Sequence, residues 1–252
     1  TWCFLTDGRV GVVLWIDKFH SREGYRWSHP VHEVLEWTGE MGQEKIAAAE
    51  GIQLNHFPDP SKSRGQYLEL LELSVKESPE DDRNMHYLGR EYLYRGRWDE
   101  CIAVLKRHLA MPAAVWKDER AASMRYIARA YAQKGERQEA RNWYLRAIAQ
   151  APYLREPYLD LAFLLYEEQQ WDGVLYFTGC ALEIKERPRT YISEAASWGS
   201  LPYDLRGLAY YYTDRLEQGL ALAREALSRE PGNERLKKNV KLMEQKAGSR
   251  EK

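Results

Sequence analysis

The feature that most constrains the fold is a spacing of small and aromatic residues that recurs along the chain. In the segment YIARAYAQKGERQEARNWYLRAIAQAP, residues 126–152, small side chains and rings alternate around a turn glycine and precede a final proline. The positions are Ala128, Tyr131, Gly135, Ala140, Tyr144, Ala147 and Pro152. Two antiparallel helices pack closely only where small side chains lie at their crossing, and a large ring then fills the neighbouring gap. The segment therefore predicts a helical hairpin with its turn at Gly135.

The same spacing fits three more times, in units counted from Asp82, Arg155 and Ser200. The repeated pattern closely resembles the tetratricopeptide repeat (TPR), a pair of helices with a period of about 34 residues. The matching positions are Leu88, Gly89, Tyr92, Gly96, Trp98, Cys101 and Leu105, then Leu161, Ala162, Leu165, Trp171 and Ala181, and finally Gly207, Tyr210, Leu216, Gly219, Ala223, Ala226 and Pro231. We therefore predict a mainly α fold, a TPR α-α superhelix of about four full helical-hairpin repeats plus capping helices.

Extra residues make the array uneven. They fall in MPAAVWKDE, residues 111–119, and in RPRTYISEAASWG, residues 187–199, and we place both in lengthened connections between repeats. An insertion on one edge of a helical array often shapes a binding face.

The front of the chain has a different pattern. Three short runs are rich in β-branched and aromatic residues and are bounded by glycine or proline, so they predict strands: residues 9–16, 30–37 and 51–57. We therefore divide the chain into a small β-containing segment, residues 1–57, and a TPR domain, residues 58–252.

This order of parts resembles the C-terminal region of bacterial family 2 (GT-A type) glycosyltransferases that continue into TPRs. The resemblance rests on a W…PVHE block and on HFPDPSKSR before the repeats. It implies that residues 1–57 are the C-terminal remnant of a catalytic domain, with Glu33 and His32 as candidate catalytic residues and His56 as a candidate metal ligand. For the parent enzyme it implies a nucleotide sugar and a divalent metal, Mg or Mn; for this chain alone it implies no cofactor. Because the sequence holds no D-x-D motif, we expect the chain alone to be inactive.

Simpler interpretations of the same residues stay open. On a strand, His32 and Glu33 point to opposite faces, so at least one of them faces solvent. The stretch HEVLE lacks the second histidine of the H-E-x-x-H zinc-protease motif. The alternative to an enzyme fragment is therefore a non-enzymatic TPR scaffold or adaptor that mediates protein–protein interaction.

The first helices of TPR hairpins line a groove, and the resemblance predicts which residues line it here. They are Arg83, His86, Arg90, Tyr94, Arg125, Arg129, Phe163, Tyr166, Tyr211 and Tyr212. Such a surface could grip a protein or peptide, with arginines meeting carboxylates in forked hydrogen bonds and rings supplying flat contact area. A glycan acceptor is an alternative, since rings stack on sugars, and an ordinary solvated face with local ion pairs is a third.

The composition of the chain limits which kinds of partner it can bind. The chain carries 37 basic and 38 acidic residues, which gives no large positive field for nucleic acid. Three cysteines do not form an even disulfide set, and outside the helical repeats no apolar run reaches the roughly 20 residues of a membrane span. We predict a cytoplasmic protein without a membrane span, and we leave self-association into a homo-oligomer open.

Overall fold

The computed structural model describes residues 1–6, 9–17, 19–57, 59, 61 and 65–249. In this part of the chain, five strands precede eleven helices. The strands are β1 (Trp2–Thr6), β2 (Arg9–Leu14), β3 (Tyr25–Ser28), β4 (Val34–Trp37) and β5 (Leu54–His56). The helices are α1 (Tyr67–Glu77), α2 (Asp82–Tyr94), α3 (Trp98–Ala110), α4 (Lys117–Gln133), α5 (Arg137–Gln150), α6 (Glu156–Glu167), α7 (Trp171–Glu183), α8 (Ala195–Trp198), α9 (Leu201–Tyr212), α10 (Leu216–Arg229) and α11 (Glu234–Gly248).

The chain forms two compact units. Unit 1 comprises Thr1–Val115 with Arg189–Tyr191, and unit 2 comprises Trp116–Pro188 with Ile192–Lys252. The strands therefore share a unit with α1, α2 and α3. The predicted division at residues 57 and 58 falls beside Pro58, which lies outside the described residues, and it stays a prediction.

Unit 1 holds two small sheets. The first has the order β2-β1-β5, with β1 antiparallel to β2 and parallel to β5, and the second is the antiparallel pair β3–β4. Sequence analysis missed β1 and β3.

The predicted strand at residues 30–37 was too long, because it begins only at Val34. His29 and His32 have φ values of 71° and 56°, which belong to the left-handed region and interrupt an extended strand. His32 and Glu33 therefore precede the strand.

The predicted helical hairpins are confirmed. They are α2–α3 in unit 1, and α4–α5, α6–α7 and α9–α10 in unit 2, where α4 also packs on α6 and α6 on α9. Ala128 and Ala162 have no exposed surface. A Cβ on Gly207 would lie 3.2 Å from the carbonyl oxygen of Gly219, so these two helices meet backbone to backbone. The small residues thus lie at the crossings, as their spacing predicts.

Helices also flank the repeats, as predicted. The Tyr92 hydroxyl on α2 donates to Oε1 of Glu72 on α1 at 2.8 Å. At the other end, Asn233 caps the N-terminus of α11, and its side chain accepts from the backbone N–H of Leu236. Val240 and Met243 of α11 pack against Ala223 of α10. None of the described helices is long and apolar enough to span a membrane.

Candidate partner-binding surface

In unit 2, charged side chains from α4 and α6 meet on one surface. Arg125 and Arg129 lie four residues apart on α4, so both side chains project from the same face. Asp160 lies opposite them on α6, and Glu194 lies just before the short helix α8, inside the predicted insertion at residues 187–199. Three separate elements thus supply two cations and two anions.

These four residues form one ion-pair network. Arg125 Nε lies 2.9 Å from Asp160 Oδ2, and Arg125 Nη2 lies 3.0 Å from Glu194 Oε1. Arg129 Nη2 lies 2.9 Å from Asp160 Oδ1 and 3.1 Å from Glu194 Oε2. Each arginine therefore contacts both carboxylates, and each carboxylate contacts both arginines.

Burial makes these contacts strong. The side chain of Arg125 has no exposed surface, and that of Asp160 is 15% exposed. Burial by itself raises the pKa of Asp160, but the charges of Arg125 and Arg129 outweigh it and hold the pKa below its ordinary value. Burial lowers the pKa of Arg125, and the opposing charges of Asp160 and Glu194 more than compensate. Asp160 and Arg125 are therefore both charged at neutral pH.

A buried glutamate fastens the insertion to α6. Glu156 has no exposed surface, and its Oε1 accepts from the backbone N–H of Glu194 at 2.9 Å and from Trp198 Nε1 at 3.1 Å. Burial raises the pKa of Glu156, although the nearby charge of Arg125 opposes the shift. The insertion is thereby held against α4 and α6, the first helices of their hairpins, and it positions Glu194 for the network. We call the surface formed by these first helices the first-helix surface.

Beside the network lies a pocket of about 350 Å³. It is confined to unit 2, and residues from α4, α5, α6, α8, α9 and the insertion form its walls. The lining residues are Arg129, Ala132, Gln133, Tyr144, Leu159, Asp160, Phe163, Leu164, Glu167, Glu194, Ala196, Ser197 and Leu201. Glu167 is also paired with Arg137 Nη1 at 2.5 Å. The walls are mixed, with apolar side chains between charged ones.

An aromatic strip continues from the pocket. We use this name for Phe163, Tyr166, Trp171, Tyr212 and Tyr211. Phe163 stacks on Tyr166 at 6.3 Å between ring centroids, and Tyr166 meets the edge of Trp171 at 5.7 Å. Trp171 stacks on Tyr212 at 4.5 Å, and Tyr212 meets Tyr211 at 5.3 Å. Phe163 is 48% exposed and Tyr212 is 53% exposed, so the strip presents flat apolar area to solvent.

The four residues predicted to line the groove on α2 of unit 1 differ in accessibility. His86 has no exposed surface, whereas Tyr94 is 65% exposed. Arg83 and Arg90 are half-buried, and their guanidinium carbons lie 5.0 and 4.4 Å from the ring centroid of Tyr87. In this unit, therefore, the accessible part of the predicted surface is two arginines and one tyrosine.

The front histidines attach the N-terminal segment to α2. His29 Nε2 lies 2.6 Å from Oδ2 of Asp81, and Oδ1 of that carboxylate accepts from the backbone N–H of Asn84 at the start of α2. The ring of His32 stacks on Tyr87 at 4.0 Å, and its Nε2 lies 3.4 Å from Arg90 Nη2. Both histidines thus serve packing within unit 1.

The other front residues lie apart in the topology. Glu33 is exposed in the loop before β4, whereas His56 is half-buried at the end of β5 in the other sheet. The catalytic roles predicted for Glu33 and His32, and the metal-binding role predicted for His56, stay predictions.

Sequence reasoning missed Asp160, Glu194 and Trp171 as parts of the surface. For Asp160 and Glu194 a signal existed, since Arg125 falls among small residues at a close helix contact and a buried guanidinium requires carboxylates. Trp171 was recognised as a repeat position, but its location at the start of α7 gave no sign that it stacks on Tyr212 of α9.

Solved structures identify the class of fold. MamA is 19% identical, with a TM-score of 0.52 over 65% of this chain and 86% of that chain. YrrB, described as a TPR protein with an unusual peptide-binding site, is 14% identical, with a TM-score of 0.54 over 72% of this chain and 85% of that chain. The APC/C hetero-tetramer Cut9–Hcn1 is 11% identical, with a TM-score of 0.57 over 73% of this chain and 33% of that chain.

The fold is therefore that of the TPR proteins, as the repeat spacing predicts. At these identities the likeness concerns the fold alone. No family model matches the sequence, and no curated protein matches it.

Proposed function

We propose that this chain is a non-enzymatic protein-interaction scaffold that binds an extended segment of a partner on the first-helix surface of unit 2. The observation that carries the proposal is the continuity of the pocket with the aromatic strip through Phe163, which belongs to both. Pockets next to exposed rings are the usual anchor points of protein interfaces. YrrB, with its peptide-binding site, is an example of a peptide-binding protein with this fold.

The charges of the pocket indicate which side chains it takes. Its walls carry the carboxylates of Asp160, Glu167 and Glu194. All three are already paired, since Arg125 and Arg129 contact Asp160 and Glu194, and Arg137 contacts Glu167. Arg129 in turn contacts two carboxylates, so it has little to offer a further anion. We therefore expect the pocket to take a neutral side chain, with apolar or planar groups of the same segment lying on the aromatic strip. The forked contact of Arg125 and Arg129 with a partner's carboxylate, as predicted from sequence, is not part of the proposal.

Selection from a random library of 12-residue peptides tests the proposal. The full chain is immobilised, and the enriched peptides are measured by fluorescence anisotropy against the wild type and Phe163→Ala/Tyr212→Ala. We expect affinity to fall about tenfold or more, since each substitution removes a large exposed ring. Tyr176→Ala is the matched control, because Tyr176 is 66% exposed on the second helix α7. Enriched peptides that bind all three proteins equally would contradict the proposal.

The glycosyltransferase parent draws no support from the comparisons above and stays a prediction. The same holds for a glycan acceptor, self-association and a cytoplasmic location. Sugar binding by the aromatic strip would appear as affinity for a glycan array that the Phe163→Ala/Tyr212→Ala variant loses.

A further inference from the structure

In the described part of the chain, two arginines on α2 of unit 1, unlike the arginines on α4, are not part of an ion-pair network. Arg83 and Arg90 lie seven residues apart, two helical turns, so they lie on the same face of the helix. We call them the α2 arginine pair. Between them lies Tyr87, whose ring is stacked by His32 at 4.0 Å and by Tyr191 at 5.7 Å. Packing against aromatic rings therefore holds both guanidinium groups.

The α2 arginine pair has no carboxylate partner among the residues that the structure describes. The ion pairs in this part of the chain include Arg95 with Glu91 and Arg97 with Glu72, but none involves Arg83 or Arg90. Moreover, Nε of Arg83 is buried and has no hydrogen-bond partner within the described ranges. A buried donor without a partner costs free energy, so Arg83 is held here by ring packing and not by hydrogen bonds through Nε.

We infer that the α2 arginine pair is a binding site for a carboxylate of an acidic partner segment. Guanidinium groups match carboxylates in a forked, charge-assisted geometry, and rings that already hold the guanidinium planes reduce the entropy lost on binding. Tyr94 adds an exposed ring next to Arg90, whose Cζ lies 6.0 Å from its centroid. A peptide can use such a ring as flat contact area.

Charge favours a protein partner over nucleic acid at this site. The formal net charge of the chain is −1, so the pair is a local cationic spot without the extended positive field that phosphate backbones require. The inference rests on the proposed function in one respect, namely that the chain binds protein segments. It uses a different unit and different residues.

The test uses the full chain and the same random library of 12-residue peptides. The selection is read by sequencing for the wild type and for Arg83→Gln/Arg90→Gln. We expect peptides that depend on the pair to be enriched in Asp and Glu, and to bind the variant about tenfold or more weakly. The matched control is Lys45→Gln/Lys76→Gln, which removes two exposed charges from the same unit and should leave these affinities unchanged. Their binding should also weaken as salt rises.

A second variant separates binding from folding. Arg83→Lys/Arg90→Lys keeps the charge but loses the fork, so we expect intermediate affinity. Amide exchange of α2 in each variant shows whether the helix stays folded. The inference is overturned if no peptide depends on the pair, or if the dependent peptides are not acidic. Phe163→Ala/Tyr212→Ala changes unit 2 only. If this variant binds the peptides as tightly as the wild type while Arg83→Gln/Arg90→Gln binds them more weakly, only the unit 2 surface is rejected. If Phe163→Ala/Tyr212→Ala weakens binding while Arg83→Gln/Arg90→Gln does not, only this inference is rejected.

Discussion

Arg125 is a fully buried cation, and its neighbours explain how unit 2 tolerates it. Replacement of Asp160 by Asn keeps the shape of the side chain but removes a charge that contacts both Arg125 and Arg129. Removing one partner of a buried ion pair leaves an uncompensated charge, so we expect the free energy of unfolding to fall by about 3–5 kcal/mol. Urea denaturation at pH 7 measures it.

An exposed ion pair provides the control for this prediction. Glu244 pairs with Arg224 at 2.7 Å, and the two side chains are 46% and 60% exposed. Glu244→Gln should therefore cost less than about 1 kcal/mol. If the two substitutions cost the same, the network on α4 and α6 is not a buried one.

Arg125 and Arg129 also show which properties of a groove residue can be predicted from sequence. The resemblance to TPRs predicted that Arg125 and Arg129 line the groove, because a repeat position and the identity of its residue can both be read from local sequence. Which carboxylates neutralise them could not be predicted in this way, since Asp160 lies 35 residues and Glu194 lies 69 residues from Arg125 along the chain. The charge of a residue at a groove position can thus be read from local sequence, whereas tertiary contacts decide whether that charge is left unpaired.

The packing of the helices α2 and α3 in their hairpin depends on one missing side chain. A Cβ on Gly89 would lie 2.3 Å from Cγ and Cδ2 of Leu105, and Leu105 has no exposed surface. Gly89→Ala gains roughly 1 kcal/mol of helix propensity, but overpacking of a buried contact costs more. We expect a net loss of about 1–2 kcal/mol in the free energy of unfolding, measured by urea denaturation. Gly248→Ala, at a helical position with open space around it, should cost nothing.

The contact between α1 and α2 predicts a pH dependence. Burial, and then the hydrogen bond to Glu72, raise the pKa of Tyr92 from 10.0 to about 12. Because the folded-state pKa is the higher one, the contribution of Tyr92 to stability is fully present below about pH 10 and is lost as pH rises towards 12. Tyr92→Phe should therefore be less stable than the wild type by about 1 kcal/mol at pH 7, and this difference should shrink in that window.

Urea titrations of both proteins at several pH values measure the difference. Tyr176→Phe, at an exposed position, serves as the control. A difference between wild type and Tyr92→Phe that stays constant up to pH 12 would show that the hydroxyl keeps no raised pKa.

The elements were predicted with unequal success for a physical reason. Each helical hairpin leaves a signature within about 34 residues, because small side chains and turn glycines must recur at its own crossing. Strand β1 pairs with β5, where Trp2 lies beside Leu54, and a sheet built from such distant segments leaves no comparable local pattern. The β3–β4 hairpin was half-recognised, since only its second strand carries an apolar run.

The balanced charge of the chain as a whole predicts that it does not bind nucleic acid. With 37 basic and 38 acidic residues, the chain should not be retained by duplex DNA or single-stranded RNA at about 0.15 M salt. Electrophoretic mobility shift measures this. Retention that Arg83→Gln/Arg90→Gln abolishes would mean that the α2 arginine pair serves phosphate and not carboxylate.

Glu156 has a consequence for any attempt to regularise this protein. A designer who trims residues 187–199 to obtain evenly spaced consensus hairpins would improve the periodicity of the array. The same cut would strip Arg125 of one counter-ion, leave Glu156 without its two donors, and take away a wall of the pocket. In this chain, even spacing of the repeats and a pocket that selects its ligand place opposite requirements on the irregular stretch at residues 187–199.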